Sequence, residues 1–206
     1  MPTPELTFYT NPKSRGRIVR WMLEETGAPY TTEILEYGTS MKAAPYLAIN
    51  PMGKVPAIRH GDTVVTECAA ICAYLADAFP RAGLAPPPHS AARGPYYRWM
   101  FFAAGPLEAA WTNQALGVQV PEERHAMVGY GGSFARVLDV LEGAIGQREY
   151  LVGDRFSAAD VYVGSQLGFG MQFGMIDKRP AFARYWTGLE ARPAKRRAEE
   201  IDGAMG

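Results

Sequence analysis

Asn50-Pro51-Met52-Gly53-Lys54-Val55-Pro56-Ala57-Ile58-Arg59 is the stretch on which the fold of this chain turns. Its glycine and prolines mark turns, and Pro56 stands where a strand should begin, a position that tolerates proline only at an edge, a strand start or a bulge. Downstream, Gly61-Asp62 separates Ala57–His60 from Thr63–Thr66, the short turn that joins antiparallel strands. Glu67-Cys68 then opens a helix whose Ile71, Tyr74, Leu75, Ala78 and Phe79 recur at helical spacing. Upstream, Leu6–Tyr9 alternates as a strand and Thr10-Asn11-Pro12-Lys13 is turn-rich. A helix follows from Ser14, a good N-cap, to about Thr26, with Ile18, Val19, Met22 and Leu23 on one face and Gly27 as the stop. Tyr30–Leu35 reads as a second strand, and a looser stretch with Lys42 and Tyr46 leads back to the opening motif. The order is β-α-β-α-β-β-α.

Pro80 to Ser90 is a stiff, proline-rich connector, since proline cannot continue a helix and favours extended φ. The expected division is residues 1–80, a linker at 81–89, and an all-helical domain over 90–206, with a ligand cleft between the two domains. Two long helices are expected first, an aromatic-rich run from Pro95 to Leu116 and another from Glu122 to about Ile145. Phe156-Ser157-Ala158-Ala159-Asp160-Val161 is a capping box, with Ser157 and Asp160 satisfying each other's backbone donors and Phe156 placed to staple onto Val161.

Hydrophobic residues make up 48% and charged residues 20%, which excludes a disordered chain. Lysine plus arginine equals acid at 21 each, so no field draws the protein to nucleic acid or an anionic membrane. The segment MPTPELTFYT lacks a basic start and an apolar core, so no export is expected, and no run approaches the ~20 apolar residues of a bilayer span. Cys68 and Cys72 are too few and too local for a disulfide framework. Without further cysteine or nearby histidine beyond His60 they suggest no metal site, and a reducing, cytoplasmic setting is expected.

This order, with NPMGKVPAI, TECAAICAYL and GDRFSAADV in sequence around a proline-rich linker, resembles the cytosolic glutathione S-transferase superfamily over nearly the whole chain, as a bacterial-type member with a serine-type active site. The resemblance implies a thioredoxin-like N-terminal domain, an all-α C-terminal domain, a homodimer, and glutathione as cosubstrate without a metal. It also implies a cis bond at Val55-Pro56, leaving the Val55 N–H and C=O facing outward, where they can pair with a bound peptide backbone as an added strand would.

Similar proteins place an acid and a serine where Glu67 and Cys68 stand, the acid holding the γ-glutamyl amino group. Glu67 matches; Cys68 departs, and a thiol is a weaker donor than a hydroxyl. A helix start favours a ligand carboxylate in any case. Lys54, and after it Lys42, lie where family branches set cations against the glycine carboxylate.

Transfer requires the thiolate. Lowering a thiol pKa by about two units from ~8.5 takes roughly 2.7 kcal/mol of selective stabilisation. A helix N-terminus supplies about 0.3–1 kcal/mol and a hydrogen bond to a charged acceptor roughly 1.5–3 kcal/mol, so a positioned hydroxyl dominates. Ser14 is the leading candidate, with Tyr9 and Asn11 in reserve. The expected reaction is attack of the activated thiol of glutathione on a small, mostly apolar electrophile, with aromatic residues such as Tyr96, Tyr97, Trp99, Phe101, Phe102 and Trp111 available as a pocket wall. The alternatives are a non-catalytic glutathione-binding or interaction module, or a glutathione-dependent peroxidase or isomerase. A dithiol oxidoreductase is excluded by Asn11-Pro12-Lys13-Ser14, which has no cysteine before the first helix. Arg192, Lys195, Arg196 and Arg197, followed at once by acids, read as a solvated helix end.

Overall fold

The computed structural model describes residues 5–205. The chain divides into two compact units, one running through Ala85 and taking back the chain from Ala191 onward, the other Pro86–Glu190.

In the first unit, β1 (Leu6–Thr10), α1 (Gly16–Thr26), β2 (Thr31–Ile34), α2 (Ala44–Leu47), β3 (Ala57–His60), β4 (Thr63–Thr66) and α3 (Cys68–Ala78) follow in order. The sheet runs β2-β1-β3-β4, with β1 parallel to β2 and antiparallel to β3, and β3 antiparallel to β4. A parallel β1–β2 pair needs a crossover, and α1 supplies it. That helix buries Ile18, Val19, Trp21, Met22 and Leu23, the face foreseen from periodicity, and ends at Gly27 with φ 65°, where a side chain would be strained.

Two local readings are corrected. Ser14 is not the N-cap: α1 begins at Gly16 with Arg15 flanking it, and the Ser14 hydroxyl accepts the Gly16 N–H at 2.9 Å. The turn is tight enough that a Cβ on Gly16 would collide with the Thr10 hydroxyl. The basic cluster is not a solvated end either. Pro193–Met205 forms α9, which packs on α1, with Arg192 clamping Glu25 through Nε at 2.6 Å and Nη2 at 2.8 Å and Arg197 pairing with Glu24 at 3.3 Å.

The second unit is helical. α4 (Arg93–Phe102) and α5 (Glu108–Ala115) are joined through a wider helical turn at Ala103–Leu107 that contains Pro106. Pro106 brings no N–H to the ladder; the Ala103 carbonyl accepts the Glu108 N–H and, in addition, Gln166 Nε2 at 3.3 Å. The single helix expected from Glu122 to Ile145 is not formed. A short tight helix at Glu122–Met127 stops, and α6 begins only at Phe134. Gly131 at φ 69° and Gly132 at φ 73° break it, and Ser133 restarts the helix by accepting the Arg136 N–H. α7 (Ala158–Gln172) is buried almost throughout, with α8 (Pro180–Glu190) packed so close that a Cβ on Gly168 would meet the Trp186 ring at 2.6 Å.

The capping box that starts α7 is present, and its acid does more than cap. Asp160, fully buried, accepts from the N–H groups of Leu151 (2.8 Å) and Ser157 (2.9 Å) and from the hydroxyls of Ser157 (3.0 Å) and Tyr185 (2.8 Å). Burial raises its carboxyl above the usual carboxylate range, and these donors offset only part of that rise. Asp160→Ala strands several buried donors at once, and the expected loss is about 3 kcal/mol or more of unfolding free energy, read from chemical denaturation.

Candidate functional site

Strand register assembles the site. Tyr9 pairs with Ala57 and Ala57 with Thr66, so the C-terminal end of β1, the N-terminal end of β3 and the C-terminal end of β4 lie side by side. The segments that continue from those three ends are Thr10–Ser14, Lys54–Pro56 and Glu67–Cys68. The sheet thus gathers at one end most of the residues singled out from sequence.

The Val55-Pro56 bond is cis, and neither the N–H nor the C=O of Val55 enters a turn or loop hydrogen bond among the described residues. The loop before it is built rigidly. Asn50, buried, donates from Nδ2 to the Lys54 carbonyl at 2.8 Å and accepts the Met52 N–H at 3.1 Å. The Tyr46 hydroxyl donates to the same carbonyl at 2.5 Å, and burial pushes its phenol up to about 12, so it remains a donor. Gly53 sits at φ 56°, with the Met41 carbonyl 2.7 Å from any Cβ, so only glycine fits. Tyr46 and Asn50 were not singled out from the sequence; the Asn-Pro-x-Gly turn around Asn50 was the available sign, and Tyr46 had none.

The two lysines differ. Lys42 Nζ donates to the carbonyls of Met52 at 3.1 Å and Gly53 at 2.9 Å, fastening this loop. Lys54 is exposed, and its ammonium has no partner among the described residues.

Glu67 has φ 67° and ψ 122°, the one positive φ outside glycine among the described residues. It flanks the first turn of α3 with its side chain exposed. Cys68 is half-buried and directs its thiol to the Arg15 carbonyl at 3.7 Å, so the starts of α1 and α3 adjoin. Cys72 is sealed in the core, where burial raises its thiol well above the usual range and makes it inert.

At the β1 end, Ser14 Oγ donates to the Asn11 carbonyl at 2.6 Å. Asn11 is buried with its amide committed to the Leu35 carbonyl at 2.9 Å and its Oδ1 to the Lys13 N–H at 2.9 Å. Tyr9 is packed with Met41, Tyr46 and Ala57, its ring 5.7 Å from that of Tyr46. Among the described residues no helix is long and apolar enough to cross a membrane.

A four-stranded mixed sheet in this order, a cis proline leading β3 and a strained acid leading α3 define a thioredoxin-like unit, here followed by a helical one. The sequence profile of the glutathione S-transferase N-terminal domain matches residues 15–78 and that of the C-terminal domain residues 132–193. A glutathione transferase from Methylococcus capsulatus superposes with a TM-score of 0.80 at 30% identity, over 97% of this chain and 99% of that one. A sphingomonad glutathione S-transferase complexed with glutathione gives 0.77 at 27% identity, over 96% and 98%. Glutathione S-transferase 3 of Zea mays is 28% identical over 206 residues, 92% of this chain and 90% of that protein. The chain belongs to the glutathione S-transferase superfamily, as an enzyme of the transferase class.

The φ of Glu67 costs on the order of 1–3 kcal/mol, which glycine would relieve at a smaller entropic cost. Glu67→Gly is expected to raise the thermal midpoint by about 2–4 °C, measured by calorimetry.

Proposed function

We propose that the first unit binds glutathione along Val55 and Glu67 and activates its thiol, as thiolate, for attack on a small apolar electrophile. The observation that carries this reading is the convergence at one end of the sheet of an unused Val55 backbone, the strained acid at Glu67 and the Ser14 turn. The sphingomonad relative, which was solved with glutathione bound, supports the ligand.

Each group has a role that follows from its chemistry. The Val55 N–H and C=O pair with the tripeptide backbone in the manner of an added strand. Glu67 takes the γ-glutamyl ammonium, while the first N–H groups of α3, at Cys68, take the adjacent carboxylate. Lys54, with an ammonium committed to nothing else, meets the glycine carboxylate; Lys42 acts by holding the loop. Ser14 activates the sulfur by exchanging the Asn11 carbonyl for the thiolate as the acceptor of its hydroxyl. Tyr9 and Asn11 are weaker candidates because one is packed in the core and the other is spent on the loop. Both cysteines are free thiols, in keeping with a reducing cytoplasm.

A second reading rests on the same hydroxyl: if Ser14 stays with the Asn11 carbonyl, glutathione binds without activation and the chain is a binding module. Titration calorimetry with glutathione, followed by conjugation of a generic aromatic electrophile, separates the two. Glu67→Gln is expected to weaken glutathione binding about 10- to 100-fold. Ser14→Ala is expected to leave binding in place, lower kcat/KM by a similar factor and raise the thiol pKa by about one to two units. Binding without turnover in the parent protein selects the module; no heat at millimolar glutathione overturns both.

A further inference from the structure

Arg20 is 1% exposed, and its guanidinium is the meeting point of the first unit. Nε donates to Asp202 Oδ1 at 3.1 Å, and Nη1 donates to the Thr32 hydroxyl at 2.8 Å and to the Tyr30 hydroxyl at 3.1 Å. Nη2 approaches the Met205 sulfur at 3.6 Å, and the planar group lies over the Phe8 ring at 4.9 Å and the Tyr30 ring at 5.5 Å. One cation therefore joins α1, β1, β2, the Tyr30 lead-in and α9. Among the described residues Asp202, itself 3% exposed, is the acid that pairs with that cation, and its other carboxylate oxygen has no hydrogen-bond partner.

A buried guanidinium is tolerated where its charge is countered, and removing the counter-charge leaves it uncompensated. Burial pushes the Asp202 carboxyl up, while Arg20, Arg17 and Lys195 draw it down. The two elements that Arg20 locks are those that flank the Thr10–Ser14 turn: Phe8 lies in β1 just before it, and Arg20 is one helical turn past Gly16, where α1 begins. Tyr30 is drawn into the same system, its hydroxyl also donating to Glu24 at 2.6 Å and its phenol pushed up to about 12, chiefly by burial.

We propose that Asp202 is a positioning residue for the thiol-activating turn: from the last helix it neutralises Arg20, and Arg20 holds the end of β1 and the start of α1 in the geometry that presents Ser14 to sulfur. This rests on the reading of the Thr10–Ser14 turn as the thiolate site. Displacements of about 1 Å made far from reacting atoms cost up to roughly 100-fold in rate, so a remote carboxylate can have a catalytic effect without touching the ligand.

The test uses the full chain with Asp202→Ala and Asp202→Asn, well below each thermal midpoint. The readouts are kcat/KM against pH with a generic aromatic electrophile and the ultraviolet thiolate absorbance of bound glutathione against pH. Asp202→Ala is expected to lower kcat/KM by about tenfold or more and to move thiol ionisation to higher pH, with glutathione affinity close to that of the parent. Asp202→Asn keeps the shape and an acceptor for Arg20 but not the charge, and is expected to shift the ionisation profile in the same direction. A folded variant with a lower thermal midpoint and the parental ionisation profile and kcat/KM overturns the positioning role. Should Asp202→Ala fail to fold, Asp202→Asn decides alone, an unchanged profile overturning the role. Absence of glutathione binding by the parent removes the underlying site, an outcome distinct from a functioning parent with an indifferent variant.

Discussion

The pairing of β1 with β3, and of β3 with β4, is the constraint on which the site depends. Antiparallel pairing with Tyr9 opposite Ala57 and Ala57 opposite Thr66 brings three chain segments to one end of the sheet, although they lie between residues 10 and 68 of the sequence. A one-residue slip in a strand reverses the faces of its side chains. Phe8 and Ile58, both without exposed surface, sit opposite each other, so a slip would break a buried contact. The placement of Val55 and Glu67 thus follows from hydrophobic side chains that never meet a ligand.

Each unit also encloses one polar centre that binds its elements to one another. In the first it is the Arg20 guanidinium, in the second the Asp160 carboxylate. Both are ionisable groups removed from water, and both are held by partners distant in sequence. Such centres contribute modest net stability when complete and cost much when broken, so they specify one arrangement of helices more than they strengthen it. The proposed glutathione site is built differently. Glu67 carries backbone strain, and the Ser14 hydroxyl sits in a local turn with an acceptor it can exchange. Strain persists there because the β4–α3 junction over-determines it.

Much of this was legible before any coordinates. Short-range chemistry speaks plainly in sequence: Gly61-Asp62 made the hairpin, Gly27 ended α1, and Ser157 with Asp160 opened α7. Pro56 and Glu67 stood out as residue types that a strand start and a helix start must accommodate. The failures were of another kind. The helix expected from Glu122 runs through Gly129, Gly131 and Gly132, and the positive φ of Gly131 and Gly132 overrides the apolar periodicity on either side. Ser14 lies ahead of the N-cap, its hydroxyl held in a turn between the Asn11 carbonyl and the Gly16 N–H, an arrangement that no periodicity reports.

By itself the sequence determined the order of elements in the first unit, the acid that leads α3 and the absence of a cysteine ahead of α1, while the cis bond at Val55-Pro56 was expected from the family resemblance. Those are properties of neighbouring residues, fixed by backbone sterics and local hydrogen bonding. Only the tertiary structure decided that the basic run near Arg192 docks on the acids of α1, that Lys42 is spent on the Met52–Gly53 loop while Lys54 is not, and that Asp202 reaches Arg20. The physical reason is distance along the chain: a charge 182 residues away becomes a neighbour only after the core has been packed, and no local pattern records which partner the packing will select.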